Sequence, residues 1–262
     1  MPGLFGNVWL ARRLERAEAE NVAAWRDSDE SGAVEALEIG GGFAVFGGPT
    51  SPLTHALGLG MYGPMPAEEL DRIESYYRER GAPITIELCP FADPSMFELL
   101  GRRGYRITEF NNILVRTIDP PPGEITNDIR RAESSEAVLY TRTVTEGFME
   151  TTDFTPEQLS LAETLFRMAS GAVWLAYVDG AAAGAASMSI RDGLALLFGD
   201  ATIKAYRRRG IQSDLIKARI AHAAERGCDL ITASTLPGSQ SQLNYERLGF
   251  RVIYTKLIFT GE

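Results

Sequence analysis

The sequence predicts an α/β fold of the α+β type, with a mixed sheet, built as two similar halves. Three observations carry that expectation. Short apolar and β-branched runs alternate with capped helical segments along most of the chain. The run Asp119-Pro120-Pro121-Pro122-Gly123 can continue neither helix nor sheet, so it divides the chain into domains at 1–121 and 122–262. Two helix–strand–helix stretches, one on each side of that break, resemble each other.

In the first half, residues 4–28 have helical character, with Leu10, Leu14, Ala17 and Val22 roughly on one face. Phe43–Phe46 is a short apolar strand ended by Gly47-Gly48-Pro49. Pro66 to Arg80 reads as a helix, with proline at a first helical position and Gly81 where a C-cap belongs. Ile84–Leu88 is a strand, Ser95–Arg103 a short helix and Tyr105–Val115 a strand.

In the second half, Ile125–Arg130 is expected as strand and Ser135–Phe148 as helix. Thr155-Pro156-Glu157-Gln158 has capping-box spacing and starts another helix. Ala172–Val178 and Ala183–Ile190 form a hairpin turning at Asp179-Gly180, a favoured hairpin pair. Leu194–Ile203 is the next strand, Ile211–Arg226 a long helix ended by Gly227, Leu230–Ser234 a strand, Ser239–Leu248 a helix and Arg251–Phe259 the last strand.

The repeat pairs Arg78–Thr85 with Ala224–Ile231, and Leu100–Arg106 with Tyr245–Arg251. It sets Leu100 opposite Tyr245 and Gly60–Pro66 opposite the basic turn Tyr206–Gln212. The first half therefore lacks the corresponding phenol and arginines, and Pro64 and Pro66 remove N–H donors. It is expected to be architectural, packing on the second half and helping to wall a ligand pocket.

Composition excludes several classes. At 262 residues with 45% hydrophobic and 23% charged residues, the chain can bury sizeable cores. A net charge of −9 weighs against nucleic acid and anionic lipid as partners. Two cysteines, Cys89 and Cys228, indicate no disulfide framework and fit a reducing cytoplasm as buried hydrophobes. The Met1-Pro2-Gly3-Leu4 start is not an apolar leader, and Ala172–Ile190, interrupted by Asp179, is not a membrane span. Gly40-Gly41-Gly42 lacks a P-loop lysine. With His55 and His222 alone, neither a metal cluster nor a histidine-assisted nucleophile is expected, and His222 reads as structural.

The chemical signal is Tyr206-Arg207-Arg208-Arg209-Gly210-Ile211-Gln212, between a strand and a long helix. Unpaired N–H groups and the dipole of a helix N-terminus attract anions, and glycine lets a phosphate approach the backbone. The spacing Arg207-x-x-Gly210-x-Gln212 resembles the Arg/Gln-x-x-Gly-x-Gly/Ala signature with which the GNAT superfamily of acyl-CoA N-acyltransferases binds the pyrophosphate of coenzyme A. Gln212 departs from it, since a small residue is usual there. Tyr245-Glu246-Arg247-Leu248-Gly249-Phe250 is similar to the Tyr-x-x-x-Gly-Phe ending of the same superfamily. Gly238 stands where that family often has Asn, seven residues before the Tyr.

The resemblance covers about residues 124–262 and implies a GNAT fold, in two tandem copies of which the first is partial. It implies a cytoplasmic N-acetyltransferase that moves an acetyl group from acetyl-CoA to a primary amine, small-molecule or peptide, by direct attack in a ternary complex; a homodimer is possible. The cofactor would lie between the Leu194–Ile203 and Leu230–Ser234 strands. Ala201, Thr202 and Ile203 would pair with pantetheine and polarise the thioester carbonyl, while Arg207, Arg208, Arg209, Gly210, Ile211, Gln212, Ser213 and Asn244 complete the cofactor site. Tyr245 is the candidate acid for the leaving thiolate and Asp200 the candidate base. Glu146, Glu150 and Asp153 lie where the family often lines its acceptor pocket. Two alternatives stay open: a non-catalytic acyl-CoA sensor or scaffold, and an aminoacyl-tRNA-dependent transferase, against which the acidic charge weighs.

Overall fold

A computed structural model describes residues 4–29, 32–167 and 172–261; Met1–Gly3 of the expected leaderless start lie outside them. In chain order the elements are α1 (Val8–Ala23), α2 (Trp25–Ser28), β1 (Glu35–Ile39), β2 (Gly42–Phe46), β3 (His55–Leu57), α3 (Ala67–Arg78), β4 (Ile84–Leu88), α4 (Pro94–Arg102) and β5 (Arg106–Thr117). After the proline-rich run come β6 (Asp128–Arg131), α5 (Ala137–Met149), α6 (Pro156–Arg167), β7 (Ala172–Val178), β8 (Ala181–Arg191), β9 (Leu194–Thr202), α7 (Ile211–Glu225), β10 (Leu230–Thr235), α8 (Gln240–Arg247) and β11 (Arg251–Gly261).

The chain forms two compact units. One comprises Met1–Ile113, Thr235–Pro237 and Val252–Glu262; the other comprises Leu114–Ser234 and Gly238–Arg251. This division departs from a cut at 121/122. β5 changes unit between Ile113 and Leu114, the proline-rich run lies inside the second unit, and the last strand of the chain belongs to the first. Strand pairing rather than chain order decides membership. In the first unit β11 runs antiparallel to β4, with Leu257 opposite Leu88 and Gly261 opposite Ile84. In the second, Thr232 Oγ1 donates to the Leu114 carbonyl (3.0 Å).

The first unit orders its strands β1-β2-β3-β4-β11 and then the start of β5. β3 and β4 are parallel, whereas β1–β2, β2–β3 and β4–β11 are antiparallel. Lys256 on β11 is wholly buried and forms ion pairs with Glu15 (3.3 Å), Glu87 (3.7 Å) and Glu18. Tyr254 donates to Glu15 (2.6 Å), and His55 Nε2 lies 3.6 Å from Glu87. Burial, reinforced by the Glu18 charge and opposed by Lys256, pushes the Glu15 carboxyl up to about 7.

The second unit orders its strands as the end of β5, then β10-β9-β8-β7-β6. β7–β8 and β8–β9 are hairpins whose turns, Asp179-Gly180 and Asp192-Gly193, place both residues at positive φ (51° and 80°; 46° and 75°), as a twisted two-residue turn requires. α7 buries Ile211, Leu215, Ile216, Ile220 and Ala223 in a core with Trp174, Met188, Leu197, Ile231, Tyr245 and Phe250. The expected capping box is formed: Gln158 N donates to Thr155 Oγ1 (3.4 Å), and Thr155 N to Gln158 Oε1 (2.9 Å).

The repeat seen in the sequence is repeated in the backbone. α3 ends with the Ala82 N–H on the Tyr77 carbonyl, and α7 ends with Cys228 on Ala223, both 3.0 Å. α4 and α8 end alike, Tyr105 on Leu100 (3.1 Å) and Phe250 on Tyr245 (3.2 Å). The glycines at these four ends, Gly81, Gly227, Gly104 and Gly249, all have positive φ. In each unit the strand after the first of these helices is parallel to the strand before it.

Candidate functional site

β9 and β10 pair in parallel only from Leu194–Leu230 to Leu197–Ala233. Beyond Leu197, β9 stays with β8 across a bulge, and no pairing of β9 residues 198–202 with β10 is formed. Gly199, with φ 65°, sits at that bulge; a Cβ there would stand 3.3 Å from Ser187 Oγ and 3.4 Å from the Tyr140 hydroxyl. The opened strands leave a cleft of 810 Å³. One wall is the end of β9 with Gly147 of α5, a second is the first turn of α7 with its preceding basic turn, and a third is the α8 face carrying Gln240, Asn244 and Arg247.

Close approach shapes the β9 wall. A Cβ on Gly147 would fall 2.7 Å from Ala201 Cβ and 3.2 Å from Thr202 N, so only glycine lets α5 lie against this backbone. Gly184 does the same from β8, where a Cβ would meet the Ala201 carbonyl at 2.9 Å. Gly210 caps α7 with φ 80°, and Asp214 N donates to the Gly210 carbonyl (3.0 Å). The first-turn N–H groups of Ile211, Gln212 and Ser213 therefore have no intrahelical acceptor, and all three residues line the cleft.

Asp214 does not compete for that helix end. Its Oδ2 accepts from Thr126 N, Thr126 Oγ1, Asn127 N and Asn127 Nδ2 at 2.8–3.0 Å, and its Oδ1 from Lys217 (2.8 Å). Burial raises its carboxyl, but these donors outweigh burial and hold it at about 2. They also explain why β6 begins at Asp128 rather than at Ile125: the Thr126 and Asn127 amides are spent on Asp214.

Most residues expected to bind cofactor do line the cleft: Ala201, Thr202, Arg208, Gly210, Ser213 and Asn244, together with the α7 residues named above. Three differ from expectation. Ile203 faces a second cleft, of 530 Å³, whose walls include Glu146, Glu150, Thr152 and Lys204. Arg209 lines neither; its guanidinium lies over the Tyr206 ring (5.6 Å), and its carbonyl accepts from Asn127 (3.2 Å). Arg207 lines the cleft, but its guanidinium donates to the Thr202 carbonyl (3.1 Å), Glu150 Oε1 (2.7 Å) and the Gly147 carbonyl (3.1 Å). It works as a clamp between β9 and the end of α5 rather than as a free phosphate ligand. Glu150, at a left-handed C-cap (φ 55°), also accepts from Lys204 (2.6 Å), and the two cations hold its carboxyl at about 2.

Asp200 and Tyr245 also depart from their expected roles. Arg219, fully buried on α7, donates to both Asp200 oxygens, to Oδ2 at 3.1 Å, and to the Ser187 carbonyl (3.0 Å). The Tyr245 hydroxyl donates to Asp200 Oδ2 (2.8 Å). Both Asp200 oxygens are thus taken up by donors from α7 and α8 rather than left open to an acceptor amine. Tyr245 is only 1% exposed and lies behind Asp200, not on the cleft surface. Burial first, then the Asp200 charge, pushes the phenol well above its ordinary range, which disfavours proton donation to a thiolate. The three form one network that fixes the β9 bulge to α7 and α8.

Gln212 fills the position where a small residue was expected. Its Nε2 donates to Ser241 Oγ (2.9 Å), and its Oε1 accepts from Asn244 (2.7 Å), so the side chain bridges α7 to α8 along the cleft instead of crowding the helix end. Sequence reasoning missed Arg219, Gly147 and Arg247. For Arg219 a signal existed: it falls four residues after Leu215, at the edge of the apolar stripe of α7, where a charge needs a buried partner.

His222 packs edge-on against Trp174, with ring centroids 5.4 Å apart. Among the described residues no group of three or more His, Cys, Asp and Glu side chains could hold a metal ion, and no helix is long and apolar enough to cross a membrane.

A mixed sheet opened between two parallel strands, with a basic turn and a free helix N-terminus at the opening, is the arrangement of an acyltransferase fold. Residues 138–250 match the acetyltransferase (GNAT) family, and this part of the chain is a GNAT domain. No curated protein matches the chain in sequence. Among solved structures, a GCN5-related N-acetyltransferase from Kribbella flavida is similar with TM-score 0.70 and 20% identity over 96% of this chain and 95% of that one. A second, from Sphaerobacter thermophilus, has TM-score 0.60 and 14% identity over 96% and 93%. A tandem GNAT protein from the clavulanic acid biosynthesis pathway has TM-score 0.61 and 15% identity over 97% and 94%. At these identities the likeness is one of fold, and the fold is a tandem GNAT fold with a shortened first copy.

Proposed function

We propose that the second unit moves an acetyl group from acetyl-CoA to a primary amine in a ternary complex. The observation that carries this reading is the 810 Å³ cleft opened by the β9–β10 splay, with the free N–H groups of α7 and Arg208 at its rim. The pyrophosphate would sit on the α7 N–H groups and Arg208. Pantetheine would lie along the unpaired edge of β9 at Ala201 and Thr202, where a backbone N–H would meet the thioester oxygen as it gains charge.

The acceptor would occupy the second cleft. Glu150 there is already neutralised by Lys204 and Arg207. Glu146, whose carboxylate makes no hydrogen bond or ion pair with any described residue, is the group left to draw in an ammonium and take its proton, directly or through water. The freed amine forms the C–N bond as the C–S bond breaks, and the thiolate leaves towards the cationic rim, to be protonated by solvent. The first unit, with Leu100 in place of Tyr245 and prolines before α3, is read as having no donor site of its own. A cytoplasmic enzyme is the setting these features suit.

The locked Asp200–Arg219–Tyr245 network favours one alternative, a GNAT unit that holds acyl-CoA without turnover. Isothermal titration with acetyl-CoA, followed by thiol release assayed over a panel of mono- and polyamines, separates the readings. Binding with release supports the enzyme; binding without release on any amine supports the scaffold; no binding at millimolar acetyl-CoA overturns both.

A further inference from the structure

Ion pairing accounts for most of the charge around the large cleft. Arg207 is neutralised by Glu150, and Asp200 by Arg219. Two lining cations remain, Arg208 and Arg247, and neither guanidinium makes a hydrogen bond or ion pair with any described residue. They stand on different walls. Arg208 (φ 65°) belongs to the turn that enters α7, beside the free N–H groups. Arg247 ends α8, and with Gln240 and Asn244 it forms an i, i+4, i+7 stripe along the cleft. The Gln212 bridge to Ser241 and Asn244 ties the two walls side by side.

A diphosphate seated at the α7 N-terminus has the N–H groups and Arg208 to meet it and does not require Arg247. An unpaired arginine on the neighbouring wall of this cleft, in a protein with net charge −9, is suited to a separate anion. Coenzyme A carries one: besides its diphosphate, it has a phosphomonoester on the ribose. We propose that Arg247 reads the ribose 3′-phosphate of the donor, making the cleft selective for CoA thioesters over donors that end at the diphosphate or at phosphopantetheine. This rests on the cleft being the CoA site.

The test is isothermal titration of the full chain with CoA and with 3′-dephospho-CoA, for the unaltered protein, Arg247→Gln and Arg208→Gln. Because neither arginine has a partner among the described residues, neither change should alter the melting temperature without ligand. The unaltered protein should bind CoA about tenfold or more tightly than dephospho-CoA, the usual value of one charge-assisted contact. Arg247→Gln should remove that preference by weakening CoA alone. Arg208→Gln should weaken both ligands by a similar factor and keep the preference. Equal binding of both ligands by the unaltered protein, or an Arg247→Gln variant that weakens both or neither, overturns the proposal while leaving the CoA site standing. Failure of the unaltered protein to bind either ligand overturns both.

Discussion

Replacing Arg219 with Met tests whether the Asp200–Arg219–Tyr245 network holds the site together. The guanidinium is fully buried and reaches both Asp200 oxygens and the Ser187 and Leu215 carbonyls. Met keeps most of the stem and removes every donor. Breaking a buried ion pair from one side costs about 3–5 kcal/mol. Asp200 retains 13% side-chain exposure on the cleft and the Tyr245 hydrogen bond, so water can solvate part of the orphaned charge, and the lower figure, about 3 kcal/mol, is expected. For a unit of this size that corresponds to a fall of about 12 °C in its unfolding midpoint. Trp174, buried in the second unit, is a local fluorescence reporter for the transition. The triple variant Arg219→Met/Asp200→Leu/Tyr245→Phe removes all three polar groups together and should recover most of the loss. A loss below about 1 kcal/mol in the single variant, or a triple variant no better than it, would refute the reasoning.

Gly210→Glu should abolish the thermal shift caused by acetyl-CoA, about 2.7 kcal/mol at a hundredfold excess over Kd, because it sets an anion at the helix N-terminus; its own positive φ (80°) should add a cost of about 1–2 kcal/mol without ligand, and a retained shift would move the diphosphate elsewhere. Gly147→Ala should destabilise the second unit by about 1–3 kcal/mol and weaken acetyl-CoA binding, since its Cβ would lie 2.7 Å from Ala201 Cβ; a neutral result in denaturant titration would show that α5 can shift freely. Glu15, raised from 4.5 to about 7 by burial, is protonated more readily folded than unfolded, so its contribution is full below about pH 4.5 and is lost as pH rises through about 7. Glu15→Gln should therefore gain in stability relative to the parent as pH rises from about 4.5 through about 7; parallel stability–pH curves from denaturant titrations would remove Glu15 from the account.

What could be read in the sequence followed the strength of local signals. The helix-ending Gly81 and Gly227, the Asp179-Gly180 turn and the Gly210 turn that opens α7 each impose a backbone geometry through one or two residues, and each lies where it was expected. β1 and β3 were missed. Glu35–Ile39 mixes charge with apolar residues, and His55–Leu57 spans three residues held by neighbouring strands rather than by its own pattern. Pro66 serves as the N-cap of α3 rather than as its first residue. The site was half legible. Spacing located the Arg207–Gln212 turn, but spacing cannot say which cations are already paired. That Arg207 meets Glu150, 57 residues earlier, and Asp200 meets Arg219, 19 residues later, are facts of the packed structure.

The placement of β11 has a consequence for biosynthesis. β4 receives its antiparallel neighbour from the last residues of the chain, so the first unit cannot be completed when its own stretch, up to Ile113, has been made. At about 5–20 residues per second, the ribosome needs roughly 7–30 s more to reach Val252. Throughout that interval the Ile84–Leu88 edge, with three wholly or nearly wholly buried side chains in the finished unit, has no strand to cover it. The nascent chain is thus exposed to mispairing until β11 has been made. A fragment starting at residue 122 inherits the same defect in reverse, carrying β11 without β4 and β10 without β5.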